Sequence, residues 1–133
     1  MSRENAERLR EAFDAFNERG EIVVEHLASD FEMHQASSII DTAGVFRGPN
    51  ALRESLEELQ GSFEDLRFEP EEFHEAPGGE LVVFIRVLGQ GRGSQLQVDN
   101  RIAWVVTFRG DETARVVVYE EPNDALAAVG LRE

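Results

Sequence analysis

Side chains that could carry chemistry interrupt the apolar stretches in the C-terminal half of the chain, at Arg86, Asn100, Trp104 and Glu120. A glutamate near an arginine stays ionised, whereas one enclosed by apolar walls has its pKa raised towards the range of a general acid. If Arg86 and Glu120 share one face of a sheet, Glu120 is the candidate acid–base group and Arg86 its orienting or oxyanion partner. The alternative is that Glu120 lies in water at a cavity mouth, with Arg86 as a structural partner.

Three consecutive strands are predicted to position these side chains. Residues 81–88, 96–108 and 114–121 are long apolar stretches rich in β-branched residues. A glycine-rich loop at 89–94 and a polar reversal at 109–112 separate them, which predicts an antiparallel meander. Successive residues of a strand face opposite sides, so either the even-numbered or the odd-numbered set could face a pocket. The alternation alone leaves both sets open.

The N-terminal part of the chain predicts helices that cover one face of this meander. Ser2 can cap a first helix, and Gly20 ends it. Its apolar positions follow the spacing of one helical face: Ala6, Leu9, Phe13 and Phe16. A second short helix is expected over residues 23–30, and a third from Pro49, at the first helical position, to Gly61.

The remaining segments complete a predicted α+β domain that spans residues 1–133. Short strands are expected at 31–35 and 45–47, a loop at 36–44, a long strand at 63–75 and a last helix at 123–129. Pro70 restricts the long strand to a sheet edge or a bulge. A strongly twisted antiparallel sheet curls around its covering helices and leaves a conical cavity, a common place for a ligand.

Composition limits the classes of partner and the cellular location that we expect. The chain has 133 residues and a net charge of −14, and such an acidic surface repels the phosphate backbone of nucleic acids. No apolar run approaches the roughly 20 residues that a membrane span needs. The charged N-terminus lacks the apolar segment of a signal peptide, so we expect a cytoplasmic protein. The absence of cysteine excludes disulfides and thiolate metal sites.

No cofactor and no metal are expected from the motifs. His26, His34 and His74 share no spacing typical of metal ligands. The glycine run at 89–93 joins two strands and opens no helix, so it does not predict a nucleotide site. Alternation turns His34 away from the side of Met33, which leaves a surface or interface histidine as the alternative to a catalytic one.

The chain resembles the nuclear transport factor 2-like superfamily, and within it the SnoaL-like branch. The order of elements agrees over nearly the whole chain: helices, a short strand pair, a helix and a meander. The matching stretches are Leu-Ala-Ser-Asp at 27–30, Gly-Val-Phe-Arg-Gly at 44–48, the glycine-rich 89–94, Val-Val-Thr-Phe-Arg-Gly at 105–110, and the terminus at 119–131. This resemblance implies a cone-shaped curved sheet covered by N-terminal helices, a fold that serves isomerases, cyclases, hydrolases and non-enzymes alike.

The resemblance also implies that the even-numbered set of the central strands faces the cavity. The polar groups expected there are Gln35, Arg86, Asn100, Trp104 and Glu120. The apolar ligand contacts expected there are Phe16, Leu56, Phe84, Ile102 and Val118. Trp104 suits a pocket wall because it combines a large ring with an indole N–H donor.

The sequence departs from the family pattern at both of the positions where related enzymes carry an aspartate. Gln35 matches the aspartate base of ketosteroid isomerases, and Val118 matches that of SnoaL-type cyclases and limonene epoxide hydrolases. Neither replacement performs acid–base chemistry at neutral pH. Two hypotheses follow: a pocket that binds a small, largely apolar molecule, or a cofactor-free lyase, isomerase, cyclase or hydrolase that uses Glu120 with Arg86.

A homodimer through the outer face of the sheet is expected from the same orientation. With the even set inward, the outer face would present Val83, Ile85, Val87, Ala103, Val105, Val117 and Tyr119. Large exposed apolar patches are rare on soluble monomers, and a twofold contact would bury this one. The superfamily often dimerises by its sheets. The competing account is that the C-terminal helix folds back over this face, where Leu126 and Val129 would cover part of it.

Overall fold

The computed structural model describes residues 2–35 and 45–131. Its elements are α1 (Ser2–Arg19), β1 (Leu27–Gln35), β2 (Phe46–Arg47), α2 (Pro49–Ser62), β3 (Phe63–Glu75), β4 (Leu81–Gly91), β5 (Gln97–Arg109), β6 (Glu112–Tyr119) and α3 (Pro122–Ala128). The strands form one curved, unclosed sheet in the order β2-β1-β6-β5-β4-β3. The predicted α+β fold with its meander of β3 to β6 is therefore confirmed. No helix in the described part of the chain is long and apolar enough to cross a bilayer.

The second helix predicted over residues 23–30 is wrong. Gly20, at a φ of 70°, ends α1, and its N–H donates to Phe16 O at 2.9 Å. The next residues are irregular, and β1 already begins at Leu27. A segment this short is a poor helix in isolation, and β-branched Val23 and Val24 disfavour one further. The loop predicted over 36–44 lies outside the described residues.

The sheet is not wholly antiparallel, because β1 pairs in parallel with β6. The register places Met33 opposite Val116 and Gln35 opposite Val118. A parallel pair needs a long crossover, which α2 and the strands after it supply. This pairing carries β1 into the sheet, so that Phe31 and Met33 join the inner core.

The predicted restriction of β3 to a sheet edge or a bulge is confirmed. β3 is the last strand of the sheet and pairs only with β4 among the described strands. Its register shifts between Pro70 and Glu72, because proline has no backbone N–H that could donate to the neighbouring strand. A second slip lies between Glu64 and Arg67, beside Asp65, whose φ is 55°. These bulges bend the edge strand.

The orientation expected for β4 is wrong. The ladder pairs Val83 with Trp104 and Arg86 with Arg101, so even positions of β4 lie beside odd positions of β5. Gly91 N–H donates to Leu96 O at 2.7 Å and closes the hairpin in this register. The inner residues of β4 are therefore the odd ones, and Val83 and Ile85 are 0% exposed. Arg86 and Phe84 lie on the outer side, because a register offset of one residue exchanges the two faces.

The orientation expected for β5 and β6 is the observed one. Trp104 pairs with Val118, and Val106 pairs with Val116, so the even residues of both strands share a face. This face packs against α1 and α2 in the larger hydrophobic cluster. The inner core therefore uses the even residues of β5 and β6 with the odd residues of β4.

Part of the outer face of the sheet is covered by α3, the alternative named above. Ala125 and Leu126 are buried against Val82, Ala103 and Val105. Among the expected outer residues, those of β4 point inward instead, and those of β5 lie under α3. The argument for a dimer from a fully open apolar face therefore does not hold.

We predict that Leu126→Ala lowers the free energy of unfolding by about 2 to 3 kcal/mol, because the substitution leaves a cavity beneath α3. Urea titration followed by circular dichroism measures this loss. Ala127→Ser is the matched control on the exposed side of the same helix and should change stability by less than about 0.5 kcal/mol. Equal unfolding midpoints for Leu126→Ala and the native chain would contradict the packing of α3 on the sheet.

Candidate functional site

Helix α1 is fastened to the sheet at both of its ends by asparagine side chains. Near its C-terminus, Asn17 Nδ2 donates to Phe68 O at 2.8 Å, and Asn17 Oδ1 accepts from Phe68 N–H at 2.7 Å. Near its N-terminus, the buried Asn5 donates from Nδ2 to Gly110 O at 3.3 Å. The first contact holds the helix to edge strand β3, and the second holds it to the turn between β5 and β6. The helix thus bridges the concave face.

Helix α2 closes the second side of the same space. Gly48 N–H donates to Phe31 O at 2.7 Å, so α2 starts directly beside β1. Pro49 occupies the first position, where a missing N–H costs nothing. From this start, Leu52 and Leu56 face the same interior as the apolar stripe of α1.

A cavity lies between these two helices and the sheet. It encloses about 90 Å³ of space that the centre of a water molecule can reach. Phe13 and Trp104 form one wall with their ring centres 5.2 Å apart and an angle of 46° between the rings. Phe16 and Phe68 pack edge to face at 5.4 Å. The other apolar lining residues are Leu9, Ala12, Ile22, Val23, Leu27, Phe31, Met33, Leu52, Leu56, Phe108 and Val116.

The polar lining residues gather where α1, the segment before β1 and the β5–β6 turn meet. They are Asn5, Arg8, His26, Asp111 and Thr113, with Glu21 further along. Thr113 N–H donates to His26 O at 2.8 Å, which ties this segment to the start of β6. Arg8 donates from one terminal guanidinium nitrogen to Asn5 Oδ1 at 2.6 Å. We call this group, Asn5, Arg8, His26, Asp111 and Thr113, the polar rim.

A β-bulge places Thr113 in the rim. The β5–β6 register slips between Thr107 and Phe108, so that Thr107 pairs with Arg115 but Phe108 pairs with Thr113. The extra residue reverses which side chains face inward beyond this point. Thr113 is consequently 7% exposed and lines the cavity, although regular alternation from Val116 would place it outside.

The structure brings three of the expected site residues into the cavity wall: Trp104, Phe16 and Leu56. Ile102 and Val118 pack in the same inner core without lining the cavity. The expected residues that lie elsewhere are Gln35, exposed at the end of β1, Asn100, exposed on β5, Glu120, exposed after β6, and Phe84 and Arg86 on the outer side. The expected polar set is thus not assembled around one space.

Arg86 binds Asp99 rather than Glu120. Its Nε donates to Asp99 Oδ1 at 2.9 Å and a terminal nitrogen donates to Oδ2 at 2.8 Å, a bidentate pair. The hydrogen bond from Arg86 holds the pKa of Asp99 below its usual value, and Asp99 raises the pKa of Arg86 in turn. This arrangement is a surface ion pair on neighbouring strands.

His34 lies on the side of β1 opposite Met33, as alternation indicates, and pairs with Glu32. Its Nε2 is 2.8 Å from Glu32 Oε1. The hydrogen bonds from His34 and then from Arg47 lower the pKa of Glu32. Within residues 2–35 and 45–131, no three acidic or histidine side chains are grouped as they would be around a metal ion.

Sequence reasoning missed the polar rim, although part of its signal was present. Asn5 and Arg8 precede Leu9, Ala12 and Phe16 at spacings of three and four, so they continue the apolar stripe of α1. A polar residue on the buried stripe of a helix is a candidate site residue. His26 and Thr113 gave no such signal, because one lies in an irregular segment and the other behind a bulge.

The fold and the sequence together identify the family. A model of the SnoaL-like domain matches residues 7–116. The chain belongs to the SnoaL-like domain family. Among functionally curated proteins, no match is found.

Solved structures share the fold of this SnoaL-like domain at low sequence identity. A putative isomerase from Bacillus subtilis is 12% identical, with a TM-score of 0.74 over 96% of this chain and 92% of that one. A nuclear transport factor 2-like protein from Burkholderia xenovorans is 22% identical, with a TM-score of 0.69 over 97% of each chain. A ketosteroid isomerase-like protein from Catenulispora acidiphila, in complex with trimethylamine, is 16% identical, with a TM-score of 0.68 over 91% of each chain.

We predict that Arg86→Gln raises the pKa of Asp99 towards its ordinary value of 3.8, because the largest cause of the lowering is the hydrogen bond from Arg86. NMR titration of side-chain carboxyl carbons measures it. The control Arg101→Gln should raise this pKa less, since Arg101 acts on Asp99 only through charge. An unchanged Asp99 pKa in Arg86→Gln would contradict the ion pair.

The sign of the linked stability effect follows from the direction of this shift. Because the folded-state pKa of Asp99 lies below the unfolded value, its stabilising contribution is present above the unfolded pKa. It is lost as the pH falls through the folded-state pKa, so acid conditions remove it. At neutral pH, Arg86→Gln should change stability only slightly, because the pair is exposed to solvent.

Proposed function

We propose that this SnoaL-like domain binds a small, largely apolar molecule in the cavity beneath α1. The observation that carries the proposal is the wall formed by Phe13 and Trp104, facing a space of about 90 Å³ that is lined mostly by apolar side chains. Ligand sites are typically concave and apolar, with a few convergent polar groups, and the polar rim supplies these. The trimethylamine complex of the Catenulispora acidiphila protein supports a small organic ligand for this fold.

The second candidate function is a cofactor-free isomerase, cyclase, lyase or hydrolase. The observation that favours it is the presence of two titratable side chains, His26 and Asp111, in the cavity lining. In this version of the proposal they replace Glu120 and Arg86 as acid–base candidates, because Arg86 is engaged by Asp99 on the outer side. A proton-transfer group must come within hydrogen-bond reach of the substrate, directly or through one water.

We predict that Trp104→Ala weakens binding of a neutral probe such as cyclohexanecarboxamide about tenfold or more, because it removes the largest ring of the wall. Isothermal titration calorimetry measures it, since Trp104 is the only tryptophan and its own fluorescence is lost. Val87→Ala is the matched control: it truncates the same inner face, but Val87 does not line the cavity. Equal affinities for Trp104→Ala and Val87→Ala would place the ligand elsewhere.

We keep the homodimer as a proposal, confined to the part of the outer face that α3 leaves half-buried. Phe84, Val117 and Tyr119 lie in this part. A twofold contact there would remove them from water without displacing α3. The expected cytoplasmic location likewise stays a prediction.

Light scattering at micromolar concentration should give twice the 14.9 kDa of one chain, and Tyr119→Glu should return the mass to that of one chain. Val105→Glu is not a dissociating variant in this arrangement, because Val105 packs under α3 and its replacement would unfold the domain. A mass of one chain that persists as the native protein is concentrated would overturn the dimer.

A further inference from the structure

Arg8 is a half-buried arginine in the cavity lining, without an acidic partner among the described residues. The chain has 27 acidic residues against 13 basic ones, so an arginine is expected to find a carboxylate easily. Arg86, Arg101 and Arg109 each lie within 3 Å of one. Several other described arginines have no carboxylate partner, and among these Arg8 is the one that lines the cavity. In residues 2–35 and 45–131, no carboxylate oxygen lies within 4.0 Å of the Arg8 guanidinium, and its partner is the neutral Asn5 amide.

Most of the hydrogen-bonding capacity of Arg8 is therefore open to a ligand. A guanidinium has five N–H donors, and the contact with Asn5 Oδ1 is the only protein hydrogen bond that it makes within the described residues. No described side-chain nitrogen is both buried and unsatisfied, so the remaining donors face accessible space. Asn5 is itself fixed by Gly110 O, which holds Arg8 against the rim.

The other charges at the cavity do not neutralise this cation. Glu21 is exposed and forms an ion pair with Arg19 at 3.0 Å. Asp111 and His26 are exposed to solvent, and neither forms an ion pair with Arg8 among the described residues. Among the described lining residues, Arg8 is thus the one permanently cationic group, and a planar guanidinium suits a carboxylate geometrically.

We propose that the cavity takes a small apolar monocarboxylic acid, with its carboxylate on Arg8 and its hydrocarbon body against Phe13 and Trp104. This inference rests on the proposed function and names the ligand class of the same site. A single negative charge fits better than a multiply charged anion, because the net charge of −14 repels anions and the described part of the lining contains one guanidinium. The mostly apolar lining accommodates the rest of the molecule.

Trp104 provides the readout, since it is the only tryptophan and lines the cavity. Its fluorescence is titrated with three probes of one shape: cyclohexanecarboxylate, cyclohexanecarboxamide and cyclohexylmethylamine. None of them absorbs at the excitation wavelength of tryptophan. We expect the carboxylate to bind roughly ten to a hundred times more tightly than the neutral amide, the range for hydrogen bonds to charged groups, and the amine to bind most weakly.

Variants then assign the preference to Arg8. Arg8→Gln should lose the tenfold or greater preference for the carboxylate and bind the carboxamide like the native protein. Arg8→Lys keeps the charge without the bidentate fork and should retain part of the preference. The control Arg3→Gln makes the same charge change at an exposed position of α1 outside the cavity, and it should bind all three probes like the native protein.

The outcomes separate this inference from the function on which it rests. Equal affinities for the three probes, or tightest binding of the amine, would overturn the monocarboxylic acid and leave an apolar-ligand protein. An unchanged preference in Arg8→Gln would overturn the role of Arg8. No response to any probe would overturn the inference and the proposed function together. If Arg8→Gln fails to fold by circular dichroism, the comparison of Arg8→Lys with Arg3→Gln decides: unchanged carboxylate affinity in Arg8→Lys contradicts the inference.

Discussion

The attachment of α1 at two separated points is the constraint on which the site depends. Asn17 holds the helix to β3, and Asn5 holds it to the β5–β6 turn. Asn5 and Asn17 are twelve positions apart, a rise of roughly 18 Å along the helix. Because the sheet is curved, a helix held at these two points does not follow the sheet surface along the whole of this length. The space between them is the cavity, and the hydrogen bonds at the ends prevent the helix from settling into it.

The two faces of the sheet consequently pack differently. The outer face is partly covered by the short helix α3, whose Leu126 packs on Ala103 and Val105. The inner face is packed tightly at β4, where Val83 and Ile85 have no exposed surface, and more loosely beneath α1. A tightly packed portion of this kind stabilises the fold and allows the remainder to keep a void without unfolding.

The sequence predicts the elements better than their mutual orientation. Stripes of apolar residues and Pro49 indicate α1 and α2, and Pro70 correctly restricts β3 to an edge or a bulge. Alternation within one strand is also visible, but the face that two paired strands share depends on the hydrogen bond that closes their hairpin. The contact of Gly91 with Leu96 decides it for β4, and it moves Arg86 to the outer side. Trp104 lies on its predicted side, because β5 and β6 pair even residues with even residues and so keep them on one face.

The polar end of the cavity arises from the β-bulge between β5 and β6, which regular alternation does not predict. One extra residue at the β5–β6 bulge turns Thr113 inward, and the backbone bond from Thr113 to His26 draws the irregular segment before β1 to the same place. Asn5 and Arg8 meet them from the helix side. The rings of Phe16 and Phe68 pack against each other further along α1, some distance from this group. The cavity therefore has hydrogen-bonding groups at one end and aromatic rings further along α1, so the fold itself gives it a polar and an apolar end.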